Sequence, residues 1–268
     1  MIVPVAGIDV HVDGSENAGS IVMVHGWPDT YRLWDAQVEF LKTNYRCIRF
    51  TLPGFEEGQE RRLRTVDEVT GFIRQVIEQL CPGRKVTLML HDWGCIYGYE
   101  FYMRNQALVE RIIGVDIGEP REMRRELDGR AKRYILGYQV WLAIAWKIGG
   151  PLGDWMTRRM ARWVRSKSDA RFIASRMNYP YYVAWFGGDQ SFARQTQRFK
   201  PACPMLFVYG KRKLFMFHSS AWADALARQP GSRVEGFDTG HWVMLQQPGR
   251  FNQVAGEWLS ATRTQEVS

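Results

Sequence analysis

Residues Leu88-Met89-Leu90-His91-Asp92-Trp93-Gly94-Cys95 carry a buried apolar strand straight into a helix, with a carboxylate at the turn. A sharp strand-to-helix turn lifts one side chain above a sheet, and the backbone N–H of the next residue, at the helix N-terminus, can stabilise an anion. In the serine form of this turn the lifted residue is the Ser of G-x-S-x-G. Here Asp92 holds that position, so the nucleophile it offers is a carboxylate.

The chain on either side extends the same rhythm. Ser20 to His25, Cys47 to Thr51 and Lys85 to His91 read as strands, and Val66 to Leu80 places Val69, Phe72, Ile73, Val76, Ile77 and Leu80 at helical spacing before Cys81-Pro82-Gly83. Strand, helix, strand at this spacing predicts a parallel sheet. A helix near Cys95 to Gln106 and a strand over Arg111 to Asp116 follow. The pattern resumes with a strand at Met205 to Tyr209, a helix near Ser220 to Arg228, a last strand at Ser232 to Phe237 and a closing helix at Arg250 to Ser260. Residues 119–200 break this rhythm with several helices and no convincing strand. The expected organisation is therefore an α/β core over 1–118 and 201–268, with 119–200 inserted as a helical lid.

Two more segments fall where the turn needs them. His25-Gly26-Trp27-Pro28 follows the Ser20 to His25 strand, and a tight turn there can aim the Trp27 N–H at the same point as the Trp93 N–H, making an oxyanion hole. Thr239-Gly240-His241-Trp242 follows the last strand and offers His241 as a general base. His11, His91 and His218 read as structural, with His91 a neighbour of the site rather than an actor.

With these residues in hand, the sequence resembles the α/β-hydrolase family, and within it the branch of epoxide hydrolases and haloalkane dehalogenases. The resemblance rests on HGWPDTYRLW (25–34), LPGF (52–55), HDWG (91–94) and GHW (240–242). It implies a mostly parallel sheet flanked by helices. It also implies that Asp92 attacks an electrophilic carbon to give an alkyl-enzyme ester, and that a water activated by His241 hydrolyses it. The glycines lack both P-loop and G-x-G-x-x-G spacing, so no nucleotide or flavin is expected. Cys47, Cys81, Cys95 and Cys203 are scattered, so no zinc site is expected either.

Two positions depart from the pattern. Leu90 stands two residues before the nucleophile, where a small residue is usual, and is expected to open the turn slightly. After the Met205 to Tyr209 strand, G-x-x-D reads Gly210-Lys211-Arg212-Lys213, and a lysine cannot accept a proton from imidazole. The branch has a second solution, with the acid after the strand that follows the nucleophile helix. Asp116 is the expected acid there, with Glu119 as the alternative.

Epoxide opening needs O–H donors, which the branch takes from two lid tyrosines; Tyr138 and either Tyr181 or Tyr182 match that pair by placement. Trp27 stands where the dehalogenases commonly carry Asn, which favours an epoxide over an alkyl halide. A third reading, from another class, is a weakly active relative that binds a hydrophobic ligand or a membrane surface.

Composition bounds these readings. The 268 residues are 46% hydrophobic, enough for a packed core and too apolar for disorder. The net charge of +8 is uneven: residues 119–200 hold 17 Lys and Arg against 7 Asp and Glu, with five of the 11 tryptophans. No nucleic-acid module accompanies that charge, so a hydrophobic small molecule is the expected partner, with peripheral membrane contact through the basic lid as a lesser expectation. The N-terminus shows no secretory pattern, which makes a cytoplasmic location the expectation.

Overall fold

The computed structural model describes residues 1–264. Among the described residues eight strands form one sheet: β1 (Ile2–Val5), β2 (Ile8–Asp13), β3 (Gly19–Val24), β4 (Tyr45–Phe50), β5 (Val86–His91), β6 (Val109–Val115), β7 (Met205–Gly210) and β8 (Arg233–Phe237). Their order is β1-β2-β4-β3-β5-β6-β7-β8, with β1/β2 and β2/β4 antiparallel and the rest parallel. Two strands precede the first one read from the sequence. The tight turn at Ala6 and Gly7, both at positive φ, pairs Ile2–Val5 with Ile8–Asp13 at the sheet edge, where short, half-exposed strands give a weak apolar signal.

The interior strands are apolar runs because both faces of the sheet are covered. Along β5, Val86, Leu88 and Leu90 pack into one core cluster and Met89 into the other. β3 divides in the same way, Val22 and Val24 to one face and Ile21 and Met23 to the opposite one. The helix Val66–Leu80 begins where the sequence predicts it. Thr65 accepts the Glu68 N–H at 3.1 Å, and Glu68 returns a bond from the Thr65 N–H at 2.8 Å, a capping box that satisfies two otherwise free donors.

Between β6 and β7 the described chain forms helices only, chiefly Gly129–Ile148, Gly150–Trp163 and Tyr179–Phe186. The apolar stretch from Tyr134 to Leu152 is broken at Gly149, where φ is +66°. Among the described residues no helix is long and apolar enough to cross a membrane.

Strand register lines up the site. Val24 pairs with Leu90, and His91 pairs with Val115, so Gly26, Asp92 and Asp116 leave the same carboxyl edge side by side. Gly210 pairs with Phe237, which brings the loops after β7 and β8 to that edge as well. This is the edge at which open α/β sheets bind ligands.

Leu90 does not open the turn. Its side chain fills the space left by Gly98 on the following helix, Trp93–Arg104, where an added Cβ would lie 2.5 Å from Leu90 Cδ1. The small residue has moved from the strand to the helix. Gly98→Ala is therefore expected to destabilise the protein by about 1–3 kcal/mol through overpacking. Urea denaturation should show a much smaller effect in a Leu90→Ala background, whereas equal losses in both backgrounds would show that the two positions are independent.

Candidate active site

The turn after β5 puts Asp92 at φ 54°, a strained conformation for a residue with a side chain, and presents its carboxylate above the sheet. Two glycines permit the close approach. An added Cβ on Gly94 would lie 2.2 Å from the Val24 carbonyl oxygen, and one on Gly26 would lie 2.3 Å from Asp92 Oδ1. The turn after β3 is held by His25, whose buried ring accepts the Leu52 N–H on Nε2 at 2.9 Å. Nδ1 therefore carries the proton and donates to the Gly26 carbonyl at 2.8 Å. Burial pushes the His25 pKa down to about 4, so the ring stays neutral. The HGWP and LPGF motifs are thus two ends of one hydrogen-bonded brace.

The result is that Trp27 N–H donates to Asp92 Oδ1 at 2.7 Å. The Trp93 N–H also favours the ionised carboxylate. The other oxygen, Oδ2, lies 3.4 Å from His241 Nε2. His241 Nδ1 meets Asp116 Oδ2 at 2.5 Å. Asp116 is fully buried at the end of β6, at φ 71°. Its second oxygen accepts the Gly210 N–H at 2.9 Å and pairs with Lys213 Nζ at 2.5 Å.

Burial opposes each of these charges, and the partners reverse its effect. It would lower the His241 pKa, yet hydrogen bonds and attraction from Asp116 and Asp92 push it up to about 9. It would raise that of Asp116, yet Lys213 and His241 hold the carboxyl well below the usual carboxylate range. His91, whose ring centre is 4.4 Å from that of His241, is held neutral by burial with its pKa near 3. Its Nε2 faces the His241 carbonyl at 3.2 Å, which makes Nε2 the donor.

The sign of the His241 effect gives a pH dependence. A group whose folded pKa exceeds its unfolded value of about 6.5 stabilises fully below that value and loses its contribution as pH rises through the folded pKa. Between pH 6.5 and about 9, the Tm of the protein should therefore fall more than that of a His241→Gln variant. Parallel curves from thermal scans would contradict the shift.

Tyr138 and Tyr181 pack together beside the two turns that hold Asp92. Their rings meet edge to face at 6.1 Å, and Tyr181 also meets Trp27 and Trp93 edge to face at 5.7 and 5.2 Å. Burial, with the Asp92 charge added, keeps both hydroxyls protonated. Tyr182 is not part of this group: one residue on along the helix it turns to the other side, against Trp146 and Phe186. Glu119 is likewise elsewhere. Its carboxylate caps the helix Pro120–Glu126 by accepting the Glu122 N–H at 2.7 Å, the task that its position before Pro120 dictates.

Sequence reasoning missed three residues that brace the site. Trp27 Nε1 donates to Asn178 Oδ1 at 2.7 Å, and Asn178 donates to Thr157 Oγ1 at 2.7 Å, tying the β3 turn to two of the inserted helical segments. Buried Asp29 accepts the Trp242 indole N–H at 3.0 Å and a bond from Ser168. The third is Lys213, which the sequence displays only as a missing acid, without its ion pair to Asp116. HGWPD displays Asp29 openly, but Asn178 and Lys213 act across long separations that give no local signal.

A family model described as the alpha/beta hydrolase family matches residues 21–254. Epoxide hydrolase 1 of Caenorhabditis elegans is 26% identical over 117 residues, 42% of this chain and 29% of that protein. Epoxide hydrolase 2 of the same organism is 29% identical over 119 residues, 40% of this chain and 31% of that protein. The matched stretches thus span less than a third of these relatives' own length. The solved structure of a Bacillus megaterium epoxide hydrolase in complex with an inhibitor superposes with a TM-score of 0.73 at 18% identity, covering 97% of this chain and 100% of that one. The sheet order, the tight turn carrying Asp92 and a family match running from β3 into the closing helix agree: the chain belongs to the alpha/beta hydrolase family.

Proposed function

We propose that the protein is an epoxide hydrolase acting on a hydrophobic small molecule, with Asp92 as nucleophile, His241 as base, Asp116 as orienting acid and residues 119–200 as the lid. The observation that carries this reading is the placement of the Asp92 carboxylate, with one oxygen on the Trp27 N–H and the other facing His241 Nε2.

At neutral pH the resting pair is the Asp92 carboxylate and the His241 imidazolium, given a His241 pKa near 9. Asp92 forms a C–O bond to an epoxide carbon while the ring C–O bond breaks. Tyr138 or Tyr181 protonates the departing alkoxide, and the imidazolium makes good the tyrosine's proton through solvent. His241, now neutral, takes a proton from water as the hydroxide oxygen adds to the ester carbonyl carbon of Asp92. The N–H groups of Trp27 and Trp93 hold the oxyanion. Collapse expels the second alcohol, which takes the proton of the added hydroxyl, and the carboxylate and imidazolium return.

The tyrosines favour an epoxide over an alkyl halide. The Tyr138 hydroxyl accepts from Gln139 Nε2 at 3.2 Å, which leaves its own proton to donate. The Trp27 indole N–H, a natural halide donor, is already taken by Asn178. A cavity of about 520 Å³, lined by apolar side chains such as Leu127, Tyr134 and Phe215 and by the charged Glu126, Asp128 and Arg130, adjoins this group through Tyr134, whose ring lies 6.0 Å from that of Tyr138. The apolar part of that lining suits an aryl or alkyl substituent. Incubation with aryl and alkyl epoxides should yield diols, and halide release from bromoalkanes without diol formation would overturn the choice.

A further inference from the structure

Lys213 stands where an acid is usual, and its side chain is only 8% exposed. Its ammonium lies 2.5 Å from the Asp116 oxygen that His241 leaves free, and 4.9 Å from the centre of the Phe217 ring. Phe217 in turn packs against His241 at 5.4 Å. A buried lysine is costly unless it is paired, and this one is paired to the carboxylate that also holds the base.

We infer that Lys213 is a positioning residue for the second half-reaction: by offsetting the charge of Asp116, it lets the His241 imidazolium surrender its proton once Asp92 has become a neutral ester. The inference rests on the proposed function. The charges facing His241 can be followed around the site. Asp92 comes from the turn after β5, Asp116 from the end of β6, Lys213 from the loop after β7 and Asp29 from the loop after β3. His91 at the end of β5 is neutral, and so is His218, whose pKa burial and Lys213 bring down to about 4. In the resting protein Asp92 and Asp116 outweigh one ammonium and retain the imidazolium. In the ester Asp92 is neutral, the Asp116–Lys213 pair beside the ring carries little net charge, and the more distant Asp29, whose own pKa burial raises to about 6, is the remaining carboxylate facing it. Without the lysine, Asp116 alone would keep the imidazole protonated in the step that needs a base.

The test does not require turnover. Asp92→Asn reproduces the lost charge of the ester. Histidine NMR titrations, with the His241 signal assigned by its absence in His241→Gln, compare Asp92→Asn alone with the same variant carrying Lys213→Met, Lys213→Gln or Lys213→Arg. His241 should titrate lower in Asp92→Asn than in the parent protein. Adding either uncharged substitution should raise the midpoint by about one pH unit or more, roughly tenfold in proton affinity, and Lys213→Arg should restore it. Coincident midpoints for Asp92→Asn with and without the uncharged substitutions would overturn the inference. A shifted midpoint in the Asp92→Asn series, together with a parent protein that forms no diol from epoxides, would leave the electrostatic role standing and remove the proposed function. Diol formation by the parent protein with coincident midpoints in the Asp92→Asn series would do the reverse.

Discussion

His241→Gln is expected to stop the protein halfway, with the substrate's carbon skeleton bound covalently to Asp92. Glutamine keeps a polar side chain between Asp92 and Asp116 but cannot take a proton from water, so the first displacement proceeds and the ester persists. General acid–base catalysis contributes about 10²–10⁴-fold, and steady-state diol formation should fall by that factor. Intact-mass measurement after incubation with epoxide should show one added substrate, and digestion should place it on the peptide containing Asp92. Asp92→Asn should show neither adduct nor diol, because an amide is a poor nucleophile. An adduct on any other residue, or an unmodified His241→Gln protein across the panel, would remove the covalent mechanism. The arrangement itself supports the distinction: Asp92 is held by Trp27 at 2.7 Å on the side away from His241, so losing the imidazole leaves the carboxylate in position.

Asp116→Asn should be the most destabilising single change in the site. It strands Lys213, which is 8% exposed, without its counter-charge and weakens the hydrogen bond that holds His241. Removing one partner of a buried pair costs about 3–5 kcal/mol, because the other charge is left desolvated. Adding Lys213→Met should recover much of that loss, since replacing both members of such a pair by uncharged groups is often close to neutral. Urea unfolding of the two single variants and the double variant measures the coupling. Additive losses would mean that the pair contributes nothing as a pair. The pH dependence has the opposite sign to that of His241. Asp116 has a depressed folded pKa, so its contribution is present above the unfolded value of about 3.9 and is lost as pH falls through the folded one. The parent protein should therefore lose more stability on acidification than Asp116→Asn does.

The parts of the site that can be read along the chain are those made within a few residues. The helix over Val66–Leu80 is written in its apolar spacing and in the Thr65 and Glu68 cap. The turn at Asp92 is written in an apolar run followed by Trp93-Gly94, because any side chain at Gly94 would put its Cβ 2.2 Å from the Val24 carbonyl oxygen. Leu90 shows where such reading stops. On the strand alone it looks like a flaw, and only the facing Gly98, eight residues later on the helix, shows the volume to be conserved. Tyr181 and Tyr182 show the same limit. Adjacent helical residues point about 100° apart, so the phase of one helix against the sheet, not the residue type, sends Tyr181 to Trp27 and Tyr182 to Trp146.

By itself the sequence determined the α/β fold class, the tight turn that lifts Asp92 and the loop that carries His241, because strand period, glycine placement and turn chemistry act over short spans. Only the tertiary structure decided that Asp116, not Glu119, meets His241, and that Lys213 stands behind it. Those contacts join residues 125 and 97 positions apart, and they exist because β6, β7 and β8 lie side by side in register. A carboxylate's partners are set by which strand ends share an edge. That ordering is a property of the whole sheet, and no local stretch of the chain contains it.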